Sequence, residues 1–117
     1  MRRDVVVMLT RAPYGRVHAP EGLRAARGVA AGFDRHDVTV LFTGDGVYGA
    51  RTAVDRDALN MTGHVADLAE QGGQMVADRV AMAERGVGEG EIADDVAVWS
   101  GDRVTASIRD ADRTLDF

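Results

Sequence analysis

Chemistry in a protein begins with side chains that can carry a charge, a proton or a nucleophile, and four places in this chain offer them. His18 and Glu21 lie three residues apart, so they share one face if the segment is helical. Arg11 and Arg16 flank the turn Ala12-Pro13-Tyr14-Gly15 just before that segment, where an anion could meet two guanidinium groups and a helix N-terminus. Gly44-Asp45-Gly46-Val47-Tyr48-Gly49 has the form G-x-G-x-x-G. Asp78 stands between an apolar segment and a short helical one.

The types that are missing narrow the chemistry. The 117 residues include no cysteine, which removes disulfides, thiolate metal sites and thiol nucleophiles. No Ser/His/Asp order, paired-carboxylate arrangement or G-x-x-x-x-G-K phosphate loop occurs. Asp78, Glu21, Asp45 and His18 could act as acid or base, but no nucleophile, base and orienting group come together. His36 and His64 have no evident companions, so no metal and no cofactor is expected.

Each group also has a purely structural reading. An aspartate where a strand meets a helix is a good N-cap, worth about 1 kcal/mol, and this is the reading favoured for Asp78. The arginines of the first loop read as solvated turn residues. The glycine loop reads as a tight turn whose glycines permit positive φ, with Val47 and Tyr48 packed on a neighbour. A dinucleotide site would need the loop to open a helix after the first strand, with an acid ending a second strand about 20 residues on. Here it follows the second apolar segment, and the nearest acid, Asp67, falls inside a helical pattern.

Five apolar segments alternate with helical patterns and must position these groups. They are Asp4–Thr10, Asp37–Phe42, Gln74–Ala77, Val96–Trp99 and Thr114–Phe117. The first two are unbroken apolar runs, as in strands buried on both faces of a parallel sheet. Ala19, Leu23, Ala26, Ala30 and Phe33 form one helical stripe, with Pro20 in its first turn and Gly32 near its end. Met61, Val65 and Leu68 form a second, stopped by Gly72-Gly73. Val80 and Ala83 mark a short third helix, closed near Gly86 and Gly88. Val104, Ile108 and Ala111 mark a fourth. Right-handed crossovers should place helices on both faces of the sheet. The polar stretch Arg51–Asp57 has no period and is expected to be mobile. Ligands of such sheets bind beyond the carboxyl ends of the strands, so the loops after Thr10, Thr43 and Ala77 are the candidate sites.

Length and composition predict one domain over residues 1–117, with no membrane span and no signal peptide, hence a cytoplasmic protein. The apolar run Val5–Leu9 is too short for an export signal. The net charge of −5 gives no electrostatic footprint for direct nucleic-acid binding. All 14 basic residues are arginine, and aspartate supplies 14 of the 19 acids. Such a bias fits high genomic G+C, and it also fits a salt-rich cytoplasm such as that of a haloarchaeon, where carboxylate-rich surfaces keep proteins soluble; the haloarchaeal source is the reading favoured.

Three stretches together resemble a known family. Val6–Gly15 reads VVMLTRAPYG, His18–Ala30 reads HAPEGLRAARGVA, and Val38–Tyr48 reads VTVLFTGDGVY. The chain resembles the DsrE/DsrF family of sulfur-relay proteins, in which "APYG", "EGL" and "GDGVY" occur in this order. Val76–Val87, VADRVAMAERGV, follows the family more loosely, so the likeness covers nearly the whole chain.

The resemblance implies a three-layer α/β/α fold around a central, mostly parallel five-stranded sheet. It implies homo-oligomers, commonly trimers or hexamers, or hetero-oligomers with a cysteine-bearing DsrE-like relative. In active members a cysteine eight residues before the "RG" glycine carries a persulfide and passes sulfur along a relay, including toward 2-thiouridine in tRNA. Here that glycine is Gly86 and the matching position is Asp78. The "APYG…EGL" block is closer to the DsrF/TusC branch, whose members lack the cysteine and serve as partner subunits.

The implied function is therefore a non-catalytic relay subunit. The alternative is a stand-alone homo-oligomer binding a small anion or nucleotide at the strand C-termini. The residues expected to bind a ligand or partner are Arg11, Pro13, Tyr14, Gly15, His18, Glu21, Asp45, Gly46, Tyr48 and Asp78.

Overall fold

A computed structural model describes residues 2–15, 17–32 and 36–117. Strands β1 (Asp4–Leu9), β2 (Asp37–Phe42), β3 (Gln74–Asp78), β4 (Val96–Trp99) and β5 (Arg113–Asp116) form one sheet in the order β4-β3-β2-β1-β5. Every neighbouring pair is parallel. The helices are α1 (His18–Ala30), α2 (Thr62–Glu70), α3 (Arg79–Glu84) and α4 (Gly101–Asp110), with 3-10 segments at Gly44–Ala50 and Glu89–Glu91.

This strand order decides where the helices lie. Three right-handed crossovers step in one direction, from β1 to β2 to β3 to β4, so α1, α2 and α3 share a face. The last connection returns across the whole sheet to β5 and carries α4 to the opposite face. The buried residues sort accordingly. Val5, Val7 and Leu9 of β1 pack with Leu23 and Ala26 of α1, Leu68 of α2 and Met82 of α3. Val6, Leu41, Val76 and Trp99 pack with Val104 of α4. The result is the three-layer α/β/α arrangement, fully parallel and with unequal outer layers.

Local signals explain most boundaries. Helix α1 carries its stripe on Ala19, Leu23, Ala26 and Ala30, all buried; Phe33 lies outside the described residues. Helix α2 ends where Gly72 adopts a φ of +80° and the Gly73 N–H bonds back to the Leu68 carbonyl. Ser100 caps α4 by accepting from the Arg103 N–H.

Two expectations are corrected. Helix α3 exists, but it buries Ala81 and Met82, while Val80 is half-exposed and Ala83 is exposed. Six residues are too few to show a helical period, so its inward face could not be read. The polar stretch after the glycine loop is tied down rather than loose. Arg51 bridges Ile92, the Thr52 N–H donates to the Glu91 carbonyl, and Val54 is buried. Arg56 makes a bidentate pair with Asp95 at 2.6 and 2.8 Å.

Candidate functional site

The carboxyl ends of β1, β2 and β3 stand side by side, which brings the three candidate loops together. The tightest point lies between the first two. Thr43 N–H donates to the Leu9 carbonyl at 3.1 Å, and the chain then winds into the 3-10 segment Gly44–Ala50. Gly44 has a φ of +53°, as the glycine-turn reading requires. Gly46 is glycine for a different reason: a β-carbon there would sit 1.7 Å from the Leu9 carbonyl oxygen. The loop is thus packed against the end of β1 and does not open an α-helix. Asp67 lies in α2 and pairs with Arg27 at 2.7 Å, so no acid is placed as a dinucleotide site needs.

Asp78 ends β3 and caps α3, in extended backbone with φ −79° and ψ 112°. One carboxylate oxygen accepts from the Val80 N–H at 3.0 Å. The other accepts from the Thr43 hydroxyl at 2.8 Å. The cap expected from sequence is present, with a second donor 35 residues away that sequence did not reveal. Two hydrogen bonds satisfy the anion and fix it at the junction of β2, β3 and α3.

Asp45 is not free either. Its carboxylate accepts from Arg85 Nε at 2.9 Å, which links the glycine loop to the end of α3. That hydrogen bond raises the Arg85 pKa above its ordinary value; partial burial opposes it, and the charges of Asp45 and Glu84 add to it. Arg85 also donates to the Ala81 carbonyl at 3.2 Å. Arg85 was not singled out by type or spacing, although it is the arginine of the "RG" ending. Tyr48 is half-buried; its carbonyl accepts from Arg51 Nε at 2.9 Å, and the Arg51 guanidinium lies 5.2 Å from its ring centre.

The first loop divides in two. Pro13 is fully buried, packed near Gly49, whereas Tyr14 is 54% exposed and Val17 68%. Gly15 takes a φ of +72° with open space around it. Arg11 is exposed and makes no ion pair among the described residues. Arg16 lies outside them.

Helix α1 starts without a side-chain cap at Val17. His18 Nδ1 is buried without a hydrogen-bond partner among the described residues, as is His64 Nδ1. Glu21 faces Arg24 at 3.7 Å rather than His18. His36 Nδ1 accepts from the Arg3 N–H at 3.0 Å, a structural role. Among the described residues no three His, Asp or Glu side chains are placed to hold a metal ion, and no helix is long and apolar enough to cross a membrane.

The residues at these strand ends are the ones that carried the family likeness, and a family comparison agrees. The DsrE/DsrF-like family model matches residues 3–117. The chain belongs to the DsrE/DsrF-like family. Its fold is similar to the crystal structure of the ychN protein from E. coli, with a TM-score of 0.79, 21% identity and full coverage of both chains. It is also similar to MTH1491 from Methanobacterium thermoautotrophicum, a protein of unknown function, with a TM-score of 0.76 and 17% identity over 98% of this chain and 99% of that one. No curated protein matches the sequence. A DsrE/DsrF-like chain without cysteine thus keeps the family's sheet and loops, with a hydrogen-bonded carboxylate at the end of β3.

Proposed function

We propose that this chain is a non-catalytic subunit of a sulfur-relay assembly, one that conveys persulfide sulfur toward a thiolated product such as 2-thiouridine in tRNA. It acts by binding a cysteine-bearing DsrE-like relative. Asp78 carries this reading. It occupies the position where the family resemblance puts the persulfide cysteine, and it engages the donors a thiolate would use, the Val80 N–H and the Thr43 hydroxyl. A carboxylate preserves the cap and the negative charge but cannot hold a sulfane sulfur. Exposed Tyr14, Val17 and Val80 border the same end of the sheet and give a partner apolar surface to cover.

Affinity purification from the native host tests the reading. A cysteine-containing family member should co-purify, and its absence would sink the partner-subunit role. The site itself is tested by Asp78→Cys. Its thiol should ionise below the ordinary cysteine value, because the same two donors favour the thiolate. It should also gain one sulfur atom by mass when treated with a persulfide donor. A folded variant that resists loading would show that the scaffold is not a relay site.

A second reading, a stand-alone homo-oligomer binding a small anion or nucleotide, draws on Arg11, which makes no ion pair among the described residues, and on the start of α1, which has no side-chain cap among them. Thermal-shift measurements with phosphate and nucleotides separate the two, since a bound ligand raises the melting temperature by mass action.

A further inference from the structure

Beside Asp78 the sheet ends in an aromatic platform. Trp99 closes β4 and is the register partner of Asp78 across the β3–β4 pair. It is 8% exposed and packs with Val76 and Val104 on the face covered by α4. The Arg103 guanidinium lies over it, 4.2 Å from the ring centre. An indole attracts a cation to its π face, and a buried ring holds that cation in one place. Gly101 joins this corner to α3, since a β-carbon there would stand 2.8 Å from Val80 Cγ2. Asp78, half-exposed Val80 and Arg103 therefore belong to one patch.

Arg103 is exposed, and its side chain makes no hydrogen bond and no ion pair among the described residues. Arg79 and Arg85, on and just after α3, are occupied, by Glu89 at 2.7 Å and by Asp45 at 2.9 Å. Stacking takes up the flat face of a guanidinium and leaves its N–H edge to solvent. That edge binds a carboxylate through two parallel hydrogen bonds. The neighbouring charges choose the anion. Asp102 precedes Arg103 and is negative, as is Asp78, so a polyanion such as RNA would be repelled here as well as held. A single carboxylate on a protein segment meets one guanidinium and brings no further charge. Exposed Val80 beside it suits an apolar side chain on the same segment.

We propose that Arg103 is the docking cation of this patch. A segment of the cysteine-bearing partner sets an aspartate or glutamate carboxylate on its N–H edge and an apolar side chain on Val80. This contact rests on the reading of the chain as a partner subunit, and it fixes the chemistry the partner must show. Trp99 is a positioning residue. It holds the arginine before the partner arrives, so little of the cost of ordering a long side chain falls on binding.

Titration calorimetry of the full chain against the purified cysteine-bearing relative from the same host tests the contact. Arg103→Glu should raise the dissociation constant about a hundredfold. Arg103→Lys keeps the charge but not the fork, and should raise it about tenfold. Arg103 is exposed, so both variants should keep native circular dichroism. Exposed Asp and Glu residues of the relative are then changed to Arg one at a time and titrated against Arg103→Glu. One of them should restore wild-type affinity, which a merely structural loss would not allow. If the wild-type chain does not bind the relative, the partner-subunit reading falls and this contact falls with it. If the wild type binds and Arg103→Glu binds equally well, or no reversal rescues it, the reading stands and this contact alone is overturned. Should Arg103→Glu not fold, Arg103→Lys decides, and an unchanged dissociation constant overturns the contact. A labelled single-stranded RNA that binds the wild type and not Arg103→Glu would assign the guanidinium to phosphate and overturn it too.

Discussion

On one face of the sheet α1, α2 and α3 bury Leu23, Ala26, Leu68 and Met82 to within about 1% exposure. On the other, α4 buries only Val104 outright; Ile108 and Ala111 are half-covered, and Gln74 and Ala97 stay exposed. The difference follows from strand order. Three short crossovers supply three helices to the first face, and one long return supplies a single helix to the second. Stability is therefore concentrated on the first face. The other face, covered by α4 alone, keeps surface for contacts. Asp78 sits at the seam, aligned with Trp99 across the β3–β4 pair at the carboxyl end of the sheet.

The sharpest way to break this asymmetry is Gly46→Ala. The new methyl group cannot occupy a point 1.7 Å from the Leu9 carbonyl, so β1 and the glycine loop must separate. Urea unfolding should show a loss of more than about 3 kcal/mol, or no folded protein at all. A loss below about 1 kcal/mol would mean that the loop is not clamped.

Next comes a matched pair of truncations, one per face. Leu23→Ala empties a fully buried position and should cost about 3 kcal/mol. Ile108→Ala removes a half-exposed side chain and should cost about 1 kcal/mol. Equal losses in denaturant titrations would erase the contrast between the faces, unless α4 is covered by another chain in solution. Measuring the pair at two protein concentrations separates those cases.

The smallest effect concerns Asp95, which pins the Arg51–Asp57 segment. Its pKa is lowered below its ordinary value of 3.8, first by the hydrogen bond from Arg56, with burial opposing and the charge of Arg56 assisting. The charged form is favoured in the folded chain. Its stabilisation is therefore fully present above the ordinary carboxylate range and is lost as the pH falls through the lower folded value. Asp95 remains half-exposed, so Asp95→Asn should cost under about 1 kcal/mol at neutral pH. The variant's stability should also decline less than the wild type's between about pH 5 and about pH 2. Identical acid limbs would show that the pair contributes nothing to the pH dependence.

Local signals in the chain were good guides where they repeat or punctuate. The stripe from Ala19 to Ala30 is long enough to show its period, and Gly72-Gly73 stops α2 as a glycine pair should. The short elements were less legible. In α3 the exposed Val80 and buried Ala81 reverse the expected face, because no second turn exists to show which residues recur. The stretch from Arg51 to Asp57 looked loose because its restraints come from Glu91, Ile92 and Asp95, nearly 40 residues on. At the candidate site, the cap by Asp78 is a local feature and could be read directly. The hydroxyl of Thr43 and the pairing of Asp45 with Arg85 could not, since each spans 35 residues or more.

By itself the sequence determined the absence of thiol chemistry, the alternation of strands and helices, the family motifs and the carboxylate at position 78. All are properties of residue type or of spacing within a turn or two. Tertiary structure decided the strand order, the unequal covering of the two faces, the partners of Asp78 and Asp45, and the place of β4 at one edge of the sheet. Those depend on which distant segments pack together, a choice made by the summed burial of the whole chain and not by any local pattern.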